Sequence, residues 1–519
     1  MKRELILGPP GTGKTTTLIN RVSDLLDSGV AAERIAYVSF TRKAAEEARD
    51  RARERFDLPK NSFQNFRTLH SLAYRELGLS QGDVMTPTHW QEISDLTGAK
   101  LTANGFDDGV GTDKIVAFHL HLAKVLGRGY EEHFRMVAGS QRSRAFNFGA
   151  LHRGGGLQQF VALGDYIDTY KDRLGIVDFS DMLSLGQHVE PIDCDFAIID
   201  EAQDLSPLQW RFVKNIFKNA KSITIAGDDD QAIYSWAGAD LHTFRNMEAR
   251  RTILDQSWRC PQTVWQFANA IVEQIEDRYQ KHWEPREEAG QVDFINSLSE
   301  CPLENGESWY LLTRTKAQQQ KYVHYLRGAG FTYRKNGVHS IKSDHLALAR
   351  TWTRLLKGEP VSVAQIRSLY ANMTADKIDP AGAAKLDLLD DDSRLTIGTV
   401  AKDYGLKVQA GVWHEVVIID ANDSRYYRTV KERTGVQSLV AEPTIEVSTI
   451  HAVKGGEADN VVFSSSMGQR PYRNFRAGYT RDDEARIFYV AATRAKKRLY
   501  VKLSLQCSYP IPSAAYDIS

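Results

Sequence analysis

The chain is poor in cysteine. Cys194, Cys260, Cys301 and Cys507 are its four, far apart and without a C-x-x-C pair. That spacing gives no disulfide framework and no thiolate metal site, and it fits a reducing compartment. No apolar run approaches the length of about 18 residues that a membrane helix needs, and no secretory leader precedes the first apolar strand. The expected location is therefore the cytoplasm. Charge of one sign is also missing in excess: Lys+Arg number 66 and Asp+Glu number 66. This balance excludes a globally basic nucleic-acid coat, but not a local basic groove.

What is present reads as an ordinary globular protein, 42% hydrophobic and 25% charged. At roughly 100–200 residues per domain, a chain of this length divides into three or four parts. Near the start, a short apolar strand, Leu5-Ile6-Leu7, runs into Gly8-Pro9-Pro10-Gly11-Thr12-Gly13-Lys14-Thr15 and then a helical run from Thr16 to Leu26. This is G-x-x-x-x-G-K-[ST] with its required flanks. Glycines let backbone N–H groups converge on phosphate oxygens. Lys14 would reach the β- and γ-phosphates, and the Thr15 hydroxyl would ligate Mg²⁺. A chance glycine turn before a structural helix is the competing reading.

Strand and helix alternate over residues 1–75, with a buried strand at Ile35 to Phe40 and a helix from Arg42 to Phe56. Between about 80 and 165 the rhythm stops; that segment is helical in flavour, broken by glycines, and carries the basic patch Gln141 to Arg144. Alternation resumes at Phe196 to Ile199 and at Ser222 to Gly227. A second α/β block follows, with strands expected at Val292–Ile295, Trp309–Leu312, Val416–Ile419 and Ile445–Ile450. Residues 506–519 read as a loose end.

Two clusters carry further chemistry. Asp200-Glu201 ends a fully apolar strand. Beside a phosphate loop, Asp200 would hold Mg²⁺ and Glu201 would orient or deprotonate the attacking water. The second cluster, Gly227 to Ala239, also follows a strand, at the sheet edge where ligands bind. Gln231 could sense the γ-phosphate, and the rings of Tyr234 and Trp236 suit base stacking, worth roughly 1–3 kcal/mol per base. Two aromatics plugging a core is the alternative.

These stretches, in this order, resemble motifs I, II and III of superfamily 1 DNA helicases of the UvrD/Rep type. Tyr37 to Ala45 resembles motif Ia, Thr68 to Ala73 motif Ib, Leu254 to Cys260 motif IV, Val447 to Phe463 motif V and Arg486 to Arg498 motif VI. The resemblance implies two RecA-like P-loop NTPase cores, parallel sheets flanked by helices, each with an inserted subdomain, and ATP between them. The division it implies is core 1A at 1–80 and 166–250, a mainly helical insertion 1B at 81–165, core 2A at 251–344 and 444–519, and a reduced insertion 2B at 345–443. It implies ATP and Mg²⁺ as ligands. Gly8, Pro9, Pro10, Gly11, Thr12, Gly13, Lys14, Thr15, Thr16, Trp258, Arg259, Gly455, Glu457 and Arg494 would bind nucleotide, with Trp258 on the adenine and Glu457 on the ribose. Thr15 and Asp200 would bind Mg²⁺. Lys14, Glu201, Gln231, Arg259 and Arg494 would be catalytic. Phe40, Thr41, Arg42, His70, Tyr234, Trp236, Thr449 and His451 would meet DNA.

The chain departs from that pattern in three places. No glutamine stands before Gly8, so nucleotide preference is expected to be relaxed. Ala237 stands where motif III usually has Arg, which puts that link between DNA and nucleotide in question. The 345–443 insertion is short. The expected function is an ATP-dependent helicase that moves 3′→5′ on single-stranded DNA, engages single-strand/duplex junctions and unwinds duplex, in a bacterial or phage-encoded setting. The alternatives are a translocase that strips proteins from DNA with weak unwinding, and a non-motor P-loop binding protein.

Overall fold

A computed structural model describes residues 2–39, 42–56, 59, 62–99, 101, 112–139 and 156–516. The chain forms two compact units: Met1–Val292 with Gln469–Lys497 and Tyr509–Ser519, and Asp293–Gly468 with Arg498–Ser508.

In the first unit, β1 (Lys2–Leu7), β2 (Ile35–Ser39), β3 (Phe66–Thr68), β4 (Phe196–Ile199), β5 (Ser222–Gly227) and β6 (Arg250–Ile253) make one sheet in the order β3-β2-β4-β5-β1-β6. Every pairing in it is parallel. The strands are continuous apolar runs because both faces are covered, as parallel sheets require. Leu5, Leu7, Val38, Ala197, Ile199 and Ile225 pack on one face, and Ile6, Tyr37, Ile198 and Ala226 on the other. Parallel pairing sends all six carboxyl ends to one edge, which is what gathers the site. The segment after β3 forms the helices Pro87–Thr97, Thr112–Leu126, Tyr130–Gly139 and Gly156–Leu174, around a separate apolar cluster that includes Ile93, Leu120, Phe134 and Phe160. The described part of this segment is mainly helical. The basic patch at 141–144 and most of the glycine breaks lie outside the described residues.

A second sheet, which lies in the second unit except for the first residues of β7 and β15, holds β7 (Gln291–Ile295), β8 (Trp309–Thr313), β9 (Arg334–Lys335), β10 (Val338–His339), β13 (Ile445–Thr449), β14 (Ala458–Ser464) and β15 (Ala495–Lys502), in the order β10-β9-β13-β8-β14-β15-β7. A two-stranded ribbon, β11 (Val361–Ser362) with β12 (Arg394–Leu395), lies in the inserted segment. One apolar cluster runs from Trp309 and Leu311 of the sheet to Trp352, Trp413 and Tyr427 of that insertion. The architecture is α/β, with two large helix-flanked sheets. Among the described residues no helix is long and apolar enough to cross a membrane.

Three expectations need correction or comment. Val416–Ile419 is no strand: Val416 closes the short helix Trp413–Val416, and Val417 makes only an isolated bridge to Met373. Lys377 Nζ takes the Glu415 and Val416 carbonyls at 2.7 and 3.0 Å, and Ile418 is 57% exposed. Residues 509–515 pack on the first unit rather than hanging loose. Tyr509 is 1% exposed and stacks on Phe488 at 4.4 Å between centroids, and Ala515 is fully buried. The expected boundary after residue 250 falls inside β6, which pairs with β1 in the first sheet.

Candidate nucleotide site and adjoining aromatic loop

β1 ends at Leu7, and the turn that follows needs glycine for a stated reason. Gly11 has φ +73°, and a Cβ on it would lie 2.3 Å from Arg259 Cβ and 2.8 Å from Ser257 Oγ. Thr12 Oγ1 donates to the Pro9 carbonyl at 2.8 Å, tightening the loop. Lys14 Nζ donates to the Gly8 carbonyl at 2.8 Å, which puts the ammonium across the loop mouth. Helix Lys14–Asp27 starts here, so its unpaired N–H groups and positive dipole end face the same place. Thr16 is exposed on the first turn.

Asp200 leaves β4 beside this loop. Its Oδ2 accepts from Thr15 Oγ1 at 3.3 Å and from Tyr37 OH at 2.8 Å, and its Oδ1 accepts the Glu201 N–H at 2.9 Å. Burial first, and the Glu201 charge second, push its carboxyl up to about 6. A cation there would reverse that shift. One hydroxyl and one carboxylate, completed by phosphates and waters, suit Mg²⁺, so the donor set fits the ion. Glu201 sits at φ 53°, a left-handed backbone unusual for a residue with a side chain. Its Oε2 accepts from Gln203 Nε2 at 2.5 Å, and Gln203 Oε1 in turn accepts the Asp228 N–H at 3.1 Å. Gln203 thus ties the β4 end to the β5 end. Gly227 leaves room for it, since a Cβ there would come within 2.4 Å of Gln203 Oε1.

After β5, Asp228 Oδ2 accepts from Gln231 Nε2 at 2.7 Å, and Gln231 Oε1 accepts from Arg494 Nη2 at 2.9 Å. Burial first, then the nearby Arg259, hold the Arg494 guanidinium below its usual range. Arg259 Nη1 reaches the Thr493 carbonyl at 3.4 Å. Ser257 Oγ donates to the Pro10 carbonyl at 2.8 Å, and the Trp258 N–H to the Gly11 carbonyl at 2.8 Å, so the segment after β6 is pinned on the phosphate loop. The Trp258 ring stays 72% exposed. Lys14, Thr15, Asp200, Glu201, Gln231, Trp258, Arg259 and Arg494 therefore lie in one compact unit.

Asp228, Asp229 and Asp230 are fully buried and close enough together to suggest a metal site. They are already neutralised. Lys281 Nζ lies 3.0 Å from Asp228 and 2.8 Å from Asp230 and also contacts Asp229, while Arg278 forks onto Asp230 at 2.8 and 2.6 Å.

Tyr234 and Trp236 continue the same loop. Trp236 stacks on Phe118 of helix Thr112–Leu126, with centroids 6.0 Å apart and planes at 24°. Next to Ala237, Gly238 (φ +94°) packs against Val125 and Leu122 of that helix. His70 meets Phe179 edge-on at 5.7 Å, and Phe179 is 58% exposed. Burial lowers the His70 imidazole to about 4, so it is neutral. Phe40 and Thr41 lie outside the described residues, as does the Arg42 side chain. Thr449, His451, Gly455 and Glu457 belong to the second unit; Thr449 Oγ1 accepts the Ala452 N–H at 3.4 Å, and Gly455 and Glu457 are exposed.

Sequence reasoning missed Tyr37, Gln203, Lys281, Arg278 and Phe179. Tyr37 and Gln203 stand inside recognised motifs, where a polar group beside a catalytic carboxylate was the available signal. Lys281 and Arg278 offered none, since their partners are about fifty residues away.

A phosphate loop, a buried carboxylate facing its Thr, an amide relay and two arginines, all at the carboxyl edge of a parallel sheet, define a P-loop NTPase. The family profile for the UvrD/REP helicase N-terminal domain matches residues 2–251, and that for the UvrD-like helicase C-terminal domain matches residues 428–506. The chain is 25% identical to ATP-dependent DNA helicase UvrD2 of Mycobacterium tuberculosis, over 97% of this chain and 77% of that one. It is 24% identical to ATP-dependent DNA helicase PcrA of Leuconostoc citreum, over 64% of this chain and 48% of the relative. With DNA helicase II of Escherichia coli the identity is 23%, over 68% and 49%. The chain belongs to the UvrD-like helicases of superfamily 1, and is a helicase driven by ATP hydrolysis.

Proposed function

We propose that this helicase translocates 3′→5′ on single-stranded DNA, engages single-strand/duplex junctions and unwinds the duplex. The observation that carries the reading is the single loop after β5. Gln231, joined to Arg494, lies three residues before Tyr234 and five before Trp236. A change at the nucleotide end of so short a loop moves the aromatic end. Lys14 and the loop glycines would bind ATP phosphates, Thr15 and Asp200 would hold Mg²⁺, Glu201 would activate water, and Arg259 and Arg494 would stabilise the charge that develops on the transferred phosphoryl group. Tyr234, Trp236 and His70 with Phe179 would meet bases by stacking. For Phe40, Thr41, Arg42, Thr449, His451, Gly455 and Glu457, and for direction, support comes from the family resemblance alone. The four-part division into two cores and two insertions is proposed on the same ground. The cytoplasm of a bacterium, or of a phage host, is the setting such a substrate implies.

The test is ATP turnover with and without single-stranded DNA, followed by strand displacement on 3′-tailed and 5′-tailed duplexes. Strong stimulation and displacement only from the 3′ tail are expected; turnover indifferent to DNA would remove the reading. A translocase with weak unwinding is the second reading. It is favoured by the 345–443 insertion, which shares one apolar core with its sheet instead of forming a separate body. Stimulated turnover without displacement on either tail would select it.

A further inference from the structure

A dense strip of positive charge on the first unit lies outside every motif described above. From Gln469 to Arg481 the chain reads QRPYRNFRAGYTR, with four arginines and no carboxylate. Residues 469–476 form a helix, and Arg470, Arg473 and Arg476, spaced by three, lie along one side of it. Phe475 anchors the helix: it packs on Tyr509 at 5.7 Å between centroids, and Tyr509 stacks on Phe488 of helix Arg481–Ala492. Arg470, Arg473, Arg476 and Arg481 are exposed. Among the described residues, Arg473, Arg476 and Arg481 have no ion pair and no side-chain hydrogen bond. The carboxylate next in sequence, Asp482, accepts the N–H groups of Glu276 and Asp277 at 3.2 and 3.1 Å. Glu276 and Asp482 share a cleft with Arg476 and Arg481 and offset part of their charge, but the four arginines outnumber these two carboxylates.

The position of the strip supplies the second observation. Asp483, two residues after Arg481, accepts from Ser235 Oγ at 2.9 Å. Ser235 stands between Tyr234 and Trp236, so the arginine segment adjoins the aromatic loop. A chain of zero net charge that binds a polyanion must concentrate cations locally. Rings for bases beside arginines for phosphates are the combination a single-strand groove uses.

We propose that Arg473, Arg476 and Arg481, flanked by Arg470, form a phosphate-binding strip that extends the single-stranded DNA path from the Tyr234–Trp236 loop. This rests on the DNA reading above. Binding of a fluorescent oligothymidylate is measured over a salt series for the full chain and for Arg473→Ala/Arg476→Ala/Arg481→Ala. For every phosphate no longer neutralised, the slope of log affinity against log salt should become shallower by about 0.7, hence by about 2 for three, with affinity down about tenfold or more at the lowest salt. The matching triple Lys variant should restore the slope. Removing three exposed lysines of the second unit, Lys357→Ala/Lys385→Ala/Lys402→Ala, should leave it unchanged. An Ala triple that binds like the unaltered chain, or a lysine control that shifts the slope equally, overturns the strip and spares the DNA reading. An unaltered chain that does not bind the oligonucleotide overturns both. Melting temperatures accompany each variant, since exposed substitutions should move stability by no more than about 0.5 kcal/mol.

Discussion

Arg494 donates from Nη2 to Gln231 Oε1 at 2.9 Å, and the two side chains are only 1% and 5% exposed. The amide cannot turn over, because its Nε2 is held by Asp228 at 2.7 Å. Its oxygen is thereby committed to the arginine. Arg494→Ala should lower ATP turnover by about 10³–10⁵. Gln231→Ala frees Arg494 from its partner and should also lower turnover. Because the two act through one hydrogen bond, the double variant should cost little more than the worse single. Steady-state turnover of the three variants checks this; effects that multiply in full would mean that the residues work independently.

Lys281 is the counter-ion of three buried carboxylates. Burial raises the Asp229 carboxyl; at Asp228 burial also pushes upward, but the Lys281 and Lys14 charges and the Gln231 hydrogen bond together hold the carboxyl below its usual value. Lys281→Met would leave that charge to Arg278, on Asp230, and to the more distant Arg245, 3.9 Å from Asp229. Breaking a buried ion pair by removing one partner costs about 3–5 kcal/mol, and a loss of that order is expected in urea unfolding. Asp229→Asn in the same chain should recover part of it by removing one of the stranded charges. A single variant as stable as the parent would show that the cluster is held in some other way.

The parts legible in the sequence were those whose cause is local. The loop from Gly8 to Thr15 and the carboxylates after β4 announce themselves because strand, turn and helix start are contiguous. Their meeting at one edge follows from parallel pairing, and hydrophobic runs such as Phe196–Ile199 signal that pairing. The clamp on Asp228 to Asp230 was not legible, since it depends on Arg278 and Lys281 being folded back from distant chain. Val416–Ile419 misled because an apolar β-branched run looks alike in a strand and in a partly buried turn; Lys377 taking its carbonyls decided the matter. The last residues misled in the opposite sense, because one Tyr with a prepared aromatic neighbour anchors a segment that has no periodicity of its own.

Trp258 presents a ring 72% exposed from a backbone fixed on the phosphate loop by the Gly11 carbonyl. An exposed ring adds little to folding, so Trp258→Ala should change stability by no more than about 0.5 kcal/mol. As a stacking surface for the nucleotide base it is worth about 1–3 kcal/mol, or roughly 5- to 150-fold in ATP affinity. The Michaelis constant for ATP should therefore rise while maximal turnover stays close to the parent's. A fall in turnover with an unchanged Michaelis constant would place Trp258 in the chemistry rather than in binding.

Acid should loosen the first unit before it touches most carboxylates. Burial lowers His70 and His121 to about 4, and burial with the neighbouring His119 lowers His133 to about 3. His121 Nδ1 lies 3.0 Å from Ser180 Oγ, and His133 Nε2 lies 3.0 Å from His119 Nδ1. The charged groups around His70 and His121 are Asp178, Lys124 and Lys171, with Asp178 resisting the shifts and the lysines adding to the shift at His121. An imidazole whose folded value is depressed contributes stability that is complete above its unfolded value of about 6.5. That stability is lost as pH falls towards the folded value, because the unfolded chain takes up the proton first. Each such histidine adds a slope of at most about 1.4 kcal/mol per pH unit, so the three should cost several kcal/mol between about pH 6.5 and 4. Thermal melts at pH 7.5, 6.0 and 5.0 should show a falling midpoint, and His121→Gln should flatten the fall by about a third. A midpoint that stays level to pH 5 would mean that these rings reach solvent or gain a proton without cost.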